Sequence, residues 1–261
     1  VENGARWKYA PKRGSDKQSE WLDLTPFDPT NQLVSVGYSC KSSDEDWDEV
    51  EYLCIDHATE APTEGAASTL QATLDITEVL VGQNIKHDLK WLFECGFTYT
   101  GKVWDTMIAE YVMQKGVKKP LSLEALAEEH ELPRKKSELI GKYIDMGLSF
   151  HKIPWSIIKE YGIGDVKTTC ALYDHQINRL HEEEHLLPTI DMMNEFVFSL
   201  VEMERNGVAI DDEALETVEK EYEKRLVDLE RFLLEGARKV MGDGPINLNS
   251  PDFCSRLFYS R

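Results

Sequence analysis

Two stretches of this chain gather side chains at spacings that could do chemistry. In "VLVGQNIKHDL" (79–89) an apolar run gives way within six residues to Gln83, Asn84, Lys86, His87 and Asp88. A carboxylate between a strand end and a helix start faces the crevice where α/β proteins place functional groups, and it also answers the helix dipole. In "KEYGIGDVKTTCALYDHQ" Tyr161 and Asp165 stand at i and i+4, on one helical face and about 6 Å apart at Cβ. A phenol and a carboxylate directed together can hold a divalent metal and orient a water; the plainer alternative is an amphipathic helix whose tyrosine packs at its rim. Gly162 and Gly164 weaken that helix by roughly 1 kcal/mol each relative to alanine, which the close approach of another backbone would explain. "HEEEH" (181–185) satisfies H-E-x-x-H, a zinc-peptidase pattern when it lies on a helix. It falls just before Leu-Leu-Pro at a helix end, and an acidic chain makes such matches by chance.

These residues need elements to hold them. "QLVSVGYSC" (32–40) and "VEYLCID" (50–56) alternate as neighbouring strands of a hairpin, and a helical stretch near 65–75 leads to "EVLVGQN" (78–84). That apolar run is of the kind found in a strand covered on both faces. "DLKWLFECG" (88–96) is expected to be a helix ended by Gly96, "GKVWDT" (101–106) a strand, and Asp105 the cap of the helix "TMIAEYVMQ". Helical patterns fill the chain to about residue 188. "MNEFVFSLVEMERNG" is a helix stopped at Asn206-Gly207, and a long helix starts at Asp211 with an apolar row from Leu215 to Val240 that reads as a packing seam. The order of elements gives an α/β class: a mixed sheet flanked by helices over 1–188, then a helical segment over 189–261.

Composition narrows the function classes. The chain has 261 residues and a net charge of -19, where proteins that grip nucleic acid by its phosphates usually show a basic face. A metal-dependent nuclease escapes that expectation, because its carboxylates gather where the phosphate reacts and cations supply the attraction. Positive charge is local: Arg6, Lys8, Lys12, Arg13 and Lys17 interleave with Trp7 and Tyr9, and residues 134–136 read Arg-Lys-Lys. Basic residues alternating with aromatics suit a single-strand path or a solvated loop. Five scattered cysteines without a C-x-x-C pair speak against a disulfide framework or a zinc ribbon. With no long apolar stretch and no signal-peptide pattern, no membrane partner and a cytoplasmic location are expected, in the host cell if the protein is phage-encoded.

"VGQNIKHDL", "WDTMIAEYVM" and "YGIGDVKTTCALY" resemble the second motif (N-x-x-x-D), the segment after it and the third motif (Y-x-x-x-D) of the 3′ to 5′ proofreading exonuclease domain of family A DNA polymerases, in the DEDD group's tyrosine subclass. "LVEMERNGVAID" and "INLNSPDFCSRLF" are similar to the start of the polymerase domain, and "LTPFDPTNQLVSVGYSC" to phage members. The resemblance covers nearly the whole chain. It implies a ribonuclease H-like fold over 1–188, an incomplete thumb-region start of the polymerase over 189–261, and no polymerase activity in this fragment. It also implies hydrolysis of single-stranded DNA 3′ ends with two Mg²⁺ or Mn²⁺ ions, the rest of a polymerase chain being the partner.

By the same resemblance Asp88 and Asp165 are metal ligands, Tyr161 orients the attacking water, and Asn84 contacts the substrate or positions it. The first motif, D-x-E, is the departure. If the natural sequence reads D-V-E-N at its start, Glu2 is the motif's glutamate and a metal ligand, and its aspartate precedes Val1; an inactive fragment is then one expectation. A catalytically silent single-strand-binding or structural domain and a ribonuclease D-like RNA exonuclease are the alternatives.

Overall fold

The computed structural model describes residues 6–8, 20–22, 25–28, 31–42, 45–133, 137–146, 148–242 and 244–259. Glu2, Arg134–Lys136 and most of the basic, aromatic stretch near the start lie outside them. Two short strands, β1 (Arg6–Lys8) and β2 (Glu20–Leu22), pair with each other. The expected hairpin follows: β3 (Ser35–Tyr38) runs antiparallel to β4 (Glu51–Cys54), with Ser35 opposite Cys54 and Tyr38 opposite Glu51. Alternation sorts β3 into two faces. Val36 and Tyr38 pack on the main core, while the other face, with Gly37, meets Tyr52 and Val166.

After α1 (Ala66–Ile76), a compact β-α-β unit carries the first chemical stretch. Its strands β5 (Val79–Gly82) and β6 (Lys102–Asp105) are parallel, with Gly82 opposite Asp105, and α2 (Ile85–Glu94) connects them. The helix starts three residues earlier than its sequence pattern suggests, because Asn84 turns the chain in the left-handed region at φ 56° and so begins α2 one turn before Asp88. Gly96, at φ +86°, follows its end as expected. β5 is less covered than its apolar run suggests, and β6 is the more buried of the two strands. Val79 is 39% exposed, and Val103, Trp104 and Asp105 of β6 are the buried residues.

α3 (Thr106–Met113) follows β6 directly, with Asp105 as its N-cap. Next come α4 (Leu123–Glu129), α5 (Ser137–Asp145) and the 26-residue α6 (Trp155–Leu180), about 39 Å long. α6 packs on β3, β4, β5, α3, α4 and α5, and α7 (Leu187–Asn206) packs on α2, α3 and β6. The main core joins α1, α2, β6 and α7 through Leu70, Leu89, Val103 and Val201. A second cluster gathers Ile140, Ile153 and Ile158 with Tyr52, Trp155 and Tyr161 where α6 begins. α2 is stitched to α7 by Lys86 and Lys90, which hold the two oxygens of Glu204 at 2.6 and 2.7 Å, and by Arg205 on Glu94 at 2.8 Å.

All five cysteines are free; only Cys54 and Cys170 are buried and Cys95 is exposed, and burial with the Asp174 charge nearby pushes the Cys170 thiol up to about 12. Chain contacts divide the molecule into two compact units, the first built on Leu22–Asn206. In the second, α8 (Asp212–Met241) starts from an Asp211 cap and packs with α9 (Pro251–Tyr259). Its apolar row is solvent-facing, Leu215 to Val240 being 46% exposed or more except for the buried Ala237. No helix among the described residues is long and apolar enough to cross a membrane.

The glycine in the Tyr161–Asp165 turn has a physical reason, though not the expected one. A Cβ on Gly162 would collide with the ring and hydroxyl of Tyr52, so a side chain rather than a backbone fills the gap. Gly162→Ala is expected to cost about 1–3 kcal/mol by overpacking, read as a lower midpoint in urea denaturation, although alanine is the better helix former.

Candidate active site

α2 carries Asp88 and α6 carries Asp165, and the two carboxylates lie within electrostatic range of one another. Asp88 lies in the first turn of α2, on the flank away from Lys86 and Lys90: those lysines sit roughly 160–200° around the helix from it, at 100° per residue. The residue is exposed at the surface, yet its carboxyl is crowded by protein atoms. The low-dielectric surroundings first, then the charges of Asp105 and Asp165, raise its carboxyl to about 7. The effect of Asp165 puts it within electrostatic range, although 77 residues separate the two in sequence. Tyr161 stands one turn before Asp165 on α6, half-buried in the cluster of Ile140, Ile153 and Trp155.

Asn84 also comes to this corner. It is the N-cap of α2, yet its side chain makes no capping bond and is exposed, so the amide is available for contact. Its backbone is held instead by Asp105: the Asn84 N–H donates to Oδ1 at 2.9 Å and the Ile85 N–H to Oδ2 at 3.0 Å. Asp105 is 1% exposed, and burial raises its carboxyl against the opposing pull of these backbone donors.

Two residues beside the site escaped the sequence reading. Tyr52 of β4 shares a hydrogen bond of 2.9 Å with Ser35 Oγ; burial raises its phenol, with smaller contributions from Asp165 and Tyr161. It therefore lies beside both site residues of α6. Asp105 was legible as a helix cap but not as the clamp on α2.

Two side-chain groups prove structural. His57 accepts N–H bonds from Thr59 and Glu60 on Nδ1 and bonds the Ile153 carbonyl through Nε2 at 2.8 Å, fastening the segment before α6. The H-E-x-x-H match does not form a helical pair of ligands, because α6 ends at Leu180, a 3₁₀ turn covers Glu184–Leu186, and Glu183 is paired with Lys115 at 3.0 Å. Among the described residues no three His, Cys, Asp or Glu side chains cluster as a metal site.

Comparisons with known proteins converge on one family. The model of the 3′-5′ exonuclease of family A DNA polymerases matches residues 19–180. DNA polymerase I of Borreliella burgdorferi is 30% identical over 186 residues, 70% of this chain and 19% of that protein. The DNA polymerase of Bacillus phage SP01 is 28% identical over 160 residues, 59% of this chain and 17% of that one. DNA polymerase I of Chloroflexus aurantiacus is 27% identical over 188 residues, 68% and 18% respectively. The chain thus spans less than a fifth of the length of these relatives. Among solved structures, the POL domain of Pol1 from M. smegmatis in complex with DNA primer-template and dNTP aligns with a TM-score of 0.53 at 19% identity, over 87% of this chain and 34% of that one, a likeness of fold. With its α/β architecture and 162 consecutive residues matched, the chain belongs to the 3′-5′ exonuclease family of family A DNA polymerases.

Proposed function

We propose that this domain hydrolyses the terminal phosphodiester of single-stranded DNA from the 3′ end, releasing a nucleoside monophosphate, as the proofreading part of a family A DNA polymerase. In this reading residues 189–261 begin the polymerase domain, α7 being packed on the exonuclease, and the remainder of such a chain is the domain's partner. It acts in the cytoplasm, the host's if the gene is a phage's. What supports the reading is that Asp88 of α2 and Asp165 of α6 lie within electrostatic range of one another, with Tyr161 one turn before Asp165 and Asn84 one turn before Asp88.

The donor set fits a divalent cation. Two carboxylates acting on one another at an open edge repel unless positive charge lies between them, and that repulsion is part of what raises Asp88. Asp88, Asp165 and, outside the described residues, Glu2 are the side chains that would hold two Mg²⁺ or Mn²⁺ ions. Bound there, the ions supply electrostatic stabilisation of charge developing on the phosphate and lower the pKa of water. The chain's own groups do the rest. Tyr161 donates or accepts at its hydroxyl to aim the attacking water, and Asn84 offers its exposed amide to the terminal nucleotide. Asp88, whose carboxyl is raised, releases its proton to become a ligand.

Cleavage of 3′-labelled single-stranded DNA tests this, on the chain and on a form extended upstream of Val1 by its own gene. Mononucleotide release that stops in EDTA and returns with Mn²⁺ is expected. Tyr161→Phe is expected to lower kcat on the order of 10²-fold with KM nearly unchanged, the scale of one positioned proton-handling group. Undiminished cleavage in EDTA or in Asp165→Asn would sink the proposal, and so would strand binding without cleavage in the extended form.

A further inference from the structure

We propose that Asp105 is a positioning residue for Asp88, its carboxylate acting as the N-cap of two helices at once and thereby fixing where α2 begins. The inference rests on the exonuclease reading of Asp88. As the cap of its own helix Asp105 needs one bond, Oδ1 accepting from the Met107 N–H at 2.9 Å. A serine, threonine or asparagine would serve there. The same carboxylate accepts two more N–H bonds, from Asn84 and Ile85, which belong to the other helix.

That second helix lacks a cap of its own. Asn84 occupies the cap position of α2 in the left-handed region, a conformation that a residue bearing a Cβ disfavours, and its side chain caps nothing. Two of the orphan donors at the start of α2 are satisfied from Asp105 instead. Parallel pairing makes this possible, since Gly82 and Asp105 are register partners and the turn after β5 passes directly beside the end of β6.

Asp105 is itself immobilised from behind. Its N–H donates to Asn194 Oδ1 on α7 at 3.1 Å, and the neighbouring Thr106 hydroxyl donates to the Gly82 carbonyl at 3.2 Å. The chain of bonds runs from α7 through Asp105 to the first turn of α2, and Asp88 is the fourth residue of that helix. Apolar packing of Ile85, Leu89 and Leu92 tolerates small rotations and slides of α2; directional bonds at its first turn do not.

Why aspartate is needed follows from donor counting. Asparagine keeps one carbonyl oxygen for Met107 and Asn84 but turns an NH₂ group toward the Ile85 N–H, donor against donor. In the full chain, Asp105→Asn is therefore expected to lower kcat by about 10–100-fold with KM within about twofold, and to weaken Mn²⁺ binding in calorimetric titration by a similar factor, the scale seen when an outer partner of a metal ligand is lost. A merely structural loss would leave Mn²⁺ affinity of the folded fraction unchanged.

Amide exchange tests the clamp without any activity. In the unsubstituted protein the Asn84 and Ile85 amides are expected to exchange as slowly as those of β6, and in Asp105→Asn they should exchange at least about tenfold faster while the Met107 amide keeps its protection. Unprotected Asn84 and Ile85 amides in the unsubstituted protein, or unchanged kcat and Mn²⁺ affinity in Asp105→Asn, overturn the proposal even if the variant is hard to produce. Asp88→Asn separates the two readings: if it cleaves normally, the exonuclease assignment of Asp88 fails while the exchange result still decides the clamp.

Discussion

Replacing Asp88 with asparagine is expected to lower the rate of nucleotide release by about 10³-fold, the upper scale of losing one preorganised electrostatic group, and at the same time to stabilise the metal-free fold at neutral pH. The two effects share a cause. Asp88 is held at about 7, well above an ordinary carboxyl at 3.8, by low-dielectric surroundings and by the charges of Asp105 and Asp165. Between these values the folded protein keeps a proton that the unfolded chain has released, so stability falls as pH rises from about 4 to about 7.

Asparagine does not titrate, and so it escapes that loss. The melting temperature of Asp88→Asn minus that of the unsubstituted protein should be near zero at pH 4 and positive at pH 8, measured in EDTA; solvent at the open side of Asp88 limits its size. Adding Mn²⁺ should reverse the order, because ligand binding to the native state stabilises only the form that keeps its ligand. A negative difference at pH 8 in EDTA would contradict the arrangement.

The largest purely structural effect is expected from Arg179→Met. Glu110 of α3 is 1% exposed, with Arg179 Nη1 at 3.4 Å from Oε1 and His130 Nε2 at 3.4 Å from Oε2. Arg179 also donates through Nη2 to the Met113 carbonyl at the end of α3, at 3.0 Å. Removing the guanidinium leaves the buried carboxylate with His130 and the Gln176 amide as its polar neighbours among the described residues. Breaking such a pair from one side costs about 3 kcal/mol, near the low end for buried pairs because Arg179 itself is partly exposed. Urea denaturation should show the drop. The double variant Glu110→Gln with Arg179→Met should recover much of it, since the orphaned charge is gone.

Local chemistry was legible in the sequence, and long-range reuse of the same residues was not. Asp105 capping α3 and Gly207 ending α7 follow from neighbours within a few positions, and the hairpin follows from alternation along β3 and β4. The second role of Asp105 depends on Asn84 and Ile85, about 20 positions away, and only the parallel pairing of β5 with β6 reveals it. Tyr52 reads as one more aromatic in a strand; its place beside Tyr161 and Asp165 appears only when α6 crosses the hairpin. β5 misled because four apolar residues suggest burial on both faces, whereas its first residue is at the surface. Asp88, Asp165 and Tyr161 stood out by type and spacing, but the range at which the two carboxylates act on each other is a property of the packed helices.

The ring of Tyr52 seated against Gly162, with Gly37 beneath it at 2.6 Å from where a Cβ would stand, has a consequence for how such a domain can evolve. Position 162 lies far along the chain from the hairpin partners 37 and 52, yet the three share one small volume, so their substitutions are not independent. An alanine at 162 is harmful behind a tyrosine at 52 and becomes acceptable once that ring is cut back. Sequence drift around Tyr161 and Asp165 is therefore gated by the hairpin: a side chain at 37 or 162 is expected only where 52 carries something smaller than tyrosine.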